Sequence, residues 1–130
     1  MAIPLASFTV NDGASTPVAQ TFSIIDRTSL SSVYRNSAAT LVAGSQQFTH
    51  KVVLAKAKNA ANRAELRLDY PVEGTLDGVV QVLRYGTLSA TINFSQGSSE
   101  AERSTALGLF LNILAQADVK AATAKLISLG

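Results

Sequence analysis

SSEAERSTALGLFLNILAQADVKAATAKLISLG, residues Ser98 to Gly130, is the one long segment of this chain with helical periodicity. Ser99 and Glu102 form a capping box, a hydroxyl ahead of the first turn and a carboxylate three residues on that reaches back to the open amides. Leu107, Phe110, Leu111 and Leu114 then fall on one face, and Ala106, Leu109, Ile113 and Ala117 on the face beside it. Thr105, Gly108, Asn112 and Gln116 leave only a narrow polar stripe. A helix lying on its own sheet needs an apolar stripe roughly 100° wide, and this one is wider. Each large side chain left in water forgoes roughly 1.5–3 kcal/mol, and a chain of this size offers one sheet. The extra face is therefore expected to be covered by a second copy of the protein, with Leu107, Phe110, Leu111 and Leu114 as the dimer-interface residues. Asp118 reads as a second N-cap opening a shorter helix with Val119, Ala122 and Leu126 on one side. The alternative is one long helix that tolerates an Asp.

Everything before residue 98 reads as β-structure with polar turns. Leu5 to Val10 alternates weakly, Asn11-Asp12-Gly13 is a turn signal, and Val18 to Ile25 pairs back as a hairpin. Leu30 to Arg35 is a short third strand, and Asn36 to Gln47 a polar loop with Leu41 and Val42 tucked in. Phe48 to Ala57 follows as a strand, with Val52 and Leu54 facing one way and Lys51, Val53 and Ala55 the other. Lys58 to Asn62 is a turn. Arg63 to Tyr70 alternates strictly, setting Arg63, Glu65, Arg67 and Asp69 against Ala64, Leu66, Leu68 and Tyr70, as expected of a sheet with one covered and one wet face. Pro71 is expected to end that strand and Val72 to Gly78 to be a mobile connection with two glycines. Val79–Tyr85 and Leu88–Phe94 complete the sheet, as two strands or as one long strand bent at Gly86. Tyr85, Thr87, Ser89, Thr91 and Asn93 share one face there, and Leu88, Ala90, Ile92 and Phe94 the other.

The chain has 130 residues, 47% hydrophobic and 15% charged, which suits one folded domain: sheet to about residue 97, then helices. Cys is absent, which excludes disulfides, thiolate metal sites and a Cys nucleophile. The start MAIPLASF lacks the basic region of a signal peptide, and the longest apolar run is too short to span a bilayer. A soluble protein is the expectation. Net charge is only +2, yet five of the eleven basic residues, Lys51, Lys56, Lys58, Arg63 and Arg67, lie within seventeen positions. Such a patch suits a polyanion meeting one face, although a solvated charged face gives the same pattern.

Catalysis finds little support. His50, the only histidine, has no second His or Cys with which to hold a metal. No nucleophile-elbow pattern surrounds any Ser, and neither Gly74 nor Gly78 leads into a phosphate-binding loop. Glu65 and Asp69 alternate with Arg63 and Arg67, so ion pairing explains them better than acid–base work. No catalytic residue, metal ligand, cofactor or small-molecule substrate is expected. RNA fits better: Lys and Arg neutralise phosphates, Tyr85 offers a ring for an unpaired base, and Thr87, Ser89 and Asn93 add hydrogen-bonding groups.

This arrangement resembles the coat proteins of the single-stranded RNA bacteriophages, the leviviruses. KVVLAKAKNAANRAELRLDYP (Lys51–Pro71) is similar to that family's central strand pair, and LRYGTLSATINFSQGSSEAER (Leu83–Arg103) to its last strand and the polar start of its first helix. The likeness is strongest over roughly Gln46 to Gln116. The resemblance implies an α+β fold, an antiparallel sheet followed by two C-terminal helices. It implies an interlocked homodimer in which two five-stranded halves form one sheet and each chain's helices lie over the partner. Such dimers assemble into an icosahedral shell around single-stranded RNA, in the host cytoplasm and thence the virion, and repress replicase translation by binding an RNA hairpin.

Carried over by position, the RNA face comprises Lys51, Val53 and Ala55 with the neighbouring Lys56 and Lys58, then Arg63, Glu65 and Arg67, then Tyr85, Thr87 and Ser89. Tyr85 stands where the family has its base-stacking tyrosine. Val53, Ala55 and Ala57 stand where relatives often carry Thr, Ser or Arg, and Glu65 and Asp69 add negative charge, which favours general packaging over a tight hairpin site. Glu73, Gly74, Thr75, Leu76, Asp77 and Gly78 match the loop through which dimers meet at the shell's symmetry axes. The competing readings are a small cellular nucleic-acid-binding dimer that forms no shell and, more distantly, an enzyme.

Overall fold

The computed structural model describes residues 5–14, 16–39, 41, 43–58 and 60–130. The chain divides into two compact units, Met1–Asn93 and Phe94–Gly130. The first is a six-stranded sheet, one strand more than the resemblance implies, whose spatial order β1-β2-β3-β4-β5-β6 repeats the chain order. Its strands are β1 (Ser7–Asn11), β2 (Ala19–Arg27), β3 (Ser31–Asn36), β4 (Gln47–Val53), β5 (Ala61–Leu76) and β6 (Val79–Ser95). The first four neighbouring pairs run antiparallel.

The expected N-terminal hairpin forms in the register Phe8↔Phe22. Asp12 holds its turn, its carboxylate accepting the amides of Ala14 and Val18, each at 3.1 Å. Those bonds, Val18 first, stabilise the ionised form and lower the pKa of Asp12.

Register sorts the side chains onto two faces. Phe8, Phe22, Ile24, Tyr34, Phe48, Val52, Ala64, Leu66 and Leu68 share one of them. Its centre is an aromatic cluster: Phe8 stacks on Phe22 with centroids 5.3 Å apart and meets Tyr34 edge-on at 5.1 Å. Phe22 and Tyr34 are only 5% and 4% exposed, and the Tyr34 hydroxyl donates to the carbonyl of Leu5 at 2.7 Å. At the edge of the cluster buried Asn36 donates to Gln20 Oε1 at 2.7 Å and Gln46 Oε1 at 3.3 Å, so its amide does not lie unsatisfied.

Several boundaries differ from expectation. β4 stops at Val53, so Leu54, Ala55, Lys56 and Ala57 belong to a connection and not to a strand. Asn62 closes that connection, its Oδ1 accepting the Ala55 amide at 2.9 Å, which takes over the role of a ladder bond. Asn59, within the expected turn, and Val42, expected to be tucked in, lie outside the described residues. Pro71 does not end β5. The last β4 partner is Gln47↔Asp69, so Pro71 falls where β5 has outrun its neighbour on that side, and a residue without an amide is tolerated there.

The expected mobile connection is likewise absent. Glu73, Gly74, Thr75 and Leu76 are strand, and only Asp77 and Gly78 turn the chain. Both have positive φ, 52° and 78°, the signature of a tight two-residue hairpin turn in which Asp-Gly is favoured. Glu73 Oε2 accepts the Leu41 amide at 2.8 Å and so ties this end of β5 to the β3–β4 loop. Of the two alternatives for the last sheet segment, the single long strand is the one that forms.

The second unit holds α1 (Glu100–Ala115) and α2 (Ala117–Lys125). The capping box is present as expected: the Glu102 amide donates to Ser99 Oγ at 3.1 Å, and the Ser99 amide to Glu102 Oε2 at 3.2 Å. The helix does break, but Gln116, not Asp118, is the second cap. Gln116 has extended backbone, and its Oε1 accepts the amides of Asp118 and Val119 at 2.8 and 3.0 Å. Asp118 sits within the first turn, where a negative charge complements the helix N-terminus.

Candidate nucleic-acid interface

The opposite sheet face is polar, and the register assembles it strand by strand. Lys51 lies across from Glu65, Val53 from Arg63, and Thr49 from Arg67, so the expected β4 and β5 residues share one surface. Tyr85 of β6 joins them, near enough to Arg67 to contribute to the raised pKa of its guanidinium. It is 60% exposed, a ring presented to solvent. Thr87 and Ser89, at strand spacing from it, are exposed as well. Ala55, Lys56 and Lys58 are placed differently from expectation: they follow the end of β4, so their direction is not set by strand alternation.

The charges on β5 are already matched. Arg63 Nε meets Glu65 Oε1 at 2.8 Å, and Arg67 Nε meets Asp69 Oδ1 at 2.8 Å. Asp69 first and Tyr85 second stabilise the Arg67 guanidinium and raise its pKa further. Exposed pairs of this kind contribute little to stability. Their larger effect is on the field: each arginine carries its own counter-charge two residues away.

Residues that sequence reading missed complete the surface. Thr49 stands between Val33 and Arg67, and Arg35 between Ser23 and Gln47. Thr49 was within reach of the alternation, two positions before Lys51. Arg35 was not, since the short run SSVYRN carries no periodicity strong enough to orient it.

The helices present a different surface. No α1 residue is buried. Leu107, Phe110, Leu111 and Leu114 retain 40–55% of their exposure, and Leu109 and Ile113 on the adjacent face 63% and 49%. Monomeric proteins seldom expose contiguous apolar surface of this extent, and such surface marks a site of association. Among the described residues there is no cluster of His, Cys, Asp or Glu able to hold a metal ion, and no helix is long and apolar enough to cross a membrane.

A sheet with one apolar and one charged, hydroxyl-rich face, followed by a long helix that exposes large apolar side chains on two adjoining faces, defines a protein built to associate. The chain belongs to the levivirus coat protein family, whose model matches residues 4–128. It is a structural capsid protein and not an enzyme. Its fold is similar to that in the virus-like particle of bacteriophage NT-214, with a TM-score of 0.85 at 18% identity over 98% of this chain and 100% of that one. The virus-like particle of Beihai levi-like virus 21 gives 0.86 at 16% identity over 98% and 99%. The bacteriophage GA protein capsid gives 0.75 at 12% over 96% and 97%. A search of curated proteins returned no match.

Proposed function

We propose that this coat protein pairs with a second copy through α1, builds a closed shell from such dimers, and holds single-stranded RNA on the polar sheet face. The observation that carries the RNA reading is the Tyr85 ring, exposed near Arg67 on a strand that also exposes Thr87 and Ser89, on a sheet whose polar face carries Lys51. An unpaired base has a face to stack on and a phosphate has a cation within the same surface. Pairing through α1 is supported by a helix with no buried residue, and shell formation by likeness to chains solved in virus-like particles. The internal pairing of Arg63 and Arg67 favours broad packaging of RNA over tight reading of one hairpin, so repression of replicase translation is the weaker part of this assignment. The alternative, a nucleic-acid-binding dimer without a shell, differs in particle size alone.

The chain expressed alone should yield large particles that carry host RNA, read by light scattering and by absorbance at the nucleic-acid maximum. Small RNA-free species would overturn the proposal. Within that reading, Tyr85→Ala should lose roughly 1–3 kcal/mol of binding to single-stranded RNA. The denaturation midpoint should scarcely move, since a ring already 60% exposed leaves no cavity. Equal affinity of the variant and the parent for hairpin and unstructured RNA would remove Tyr85 from the site.

A further inference from the structure

The charge pattern of the polar face points to a second anchor, away from Tyr85. Four cations belong to it by register: Arg35 on β3, Lys51 on β4, and Arg63 and Arg67 on β5. The last two are engaged by Glu65 and Asp69, and Lys51 lies directly across from Glu65. Arg35 differs. Its neighbours in register are Ser23 and Gln47, both neutral, and its guanidinium takes part in no ion pair or side-chain hydrogen bond among the described residues. The other acid on this face near it is Asp26, which lies in the next row across from Val33. Asp69 ends Arg35's own row, one strand beyond Gln47, and is held by Arg67.

An arginine with no partner, flanked by a hydroxyl and an amide on a half-buried strand, is a cation kept available. We propose that Arg35, with Ser23, Gln47 and Thr49 around it, is a phosphate-binding position that extends the RNA footprint across β4 onto β3. This rests on the assignment of RNA to the polar face. Because Ser23, Gln47 and Thr49 offer no ring, the position grips backbone and not bases. A guanidinium fork suits two phosphate oxygens at once, a geometry that lysine does not reproduce.

The test is binding of a labelled single-stranded oligouridylate to full-length protein dissociated from its particles and freed of host RNA, at several salt concentrations, for the parent, Arg35→Gln, Arg35→Lys and Arg63→Gln. Arg35→Gln should weaken binding several-fold for every RNA composition tried and reduce the salt slope by about one. Arg35→Lys should restore the slope but only part of the affinity. Arg63→Gln should change the slope less, because that arginine is already paired. Unchanged affinity and slope in Arg35→Gln would overturn the proposal while leaving the RNA face standing. Absence of binding by the parent would overturn the underlying assignment instead. Thermal melts accompany the series, and a large loss of stability in Arg35→Gln would mark the residue as structural and refute the proposal.

Discussion

Phe110→Asp combined with Leu114→Asp should abolish particles and leave small species on size exclusion. Both residues lie on α1 and are 43% and 47% exposed in the single chain, so about half of each side chain remains for a partner to cover. A symmetric pair counts every substitution twice. At roughly 1.5–3 kcal/mol for a fully buried side chain, half-covered positions in two copies forgo ~3–6 kcal/mol. Carboxylates carried into the same contact add the cost of stripping their water. Thr105→Asp, on the polar stripe of the same helix, serves as the control and should assemble normally. If the double variant still forms particles of parental size, α1 is not the dimer surface.

The second large effect is expected within the sheet. Tyr34→Ala should cost roughly 3–5 kcal/mol of stability, as removal of a large buried aromatic does. The ring is 4% exposed, lies against Phe8 and Phe48, and its hydroxyl donates to Leu5. Tyr34→Phe keeps the packing and loses only that bond, at a cost nearer 0.5–1.5 kcal/mol. Denaturant melts of the two variants separate packing from hydrogen bonding. Equal losses in both would show that the tether to Leu5, and not the cluster, fixes the N-terminal strand.

Much of this architecture is legible in the residues because two strong periodicities dominate it. Strict alternation from Arg63 to Tyr70 puts Arg63, Glu65, Arg67 and Asp69 on one face, and the pairing of Lys51 with Glu65 puts β4 in step with them. Ser99 and Glu102 announced α1 by local chemistry alone, and their two bonds form. The misplacements occur where a tertiary circumstance overrides a local rule. Pro71 is a strand terminator only while strands flank both sides, and β5 outruns β4 there. Gln116 is an uncommon helix cap, so Asp118 drew the assignment that the longer amide side chain takes. Arg35 was invisible as a site residue because its significance lies in what faces it, Ser23 and Gln47, which only register discloses.

The strand order carries a consequence for biosynthesis. Each strand of the sheet lies beside the one made just before it, so no stretch must wait for a distant partner still inside the ribosome. Contacts close in sequence are quick to form because little loop entropy is spent in making them. The sheet can be laid down progressively during translation, from the Phe8–Phe22 hairpin onward, with α1 and α2 emerging last. The slow, concentration-dependent event is thereby displaced to the meeting of finished chains. Assembly is then set by the concentration of folded chains and not by the order in which their strands are made.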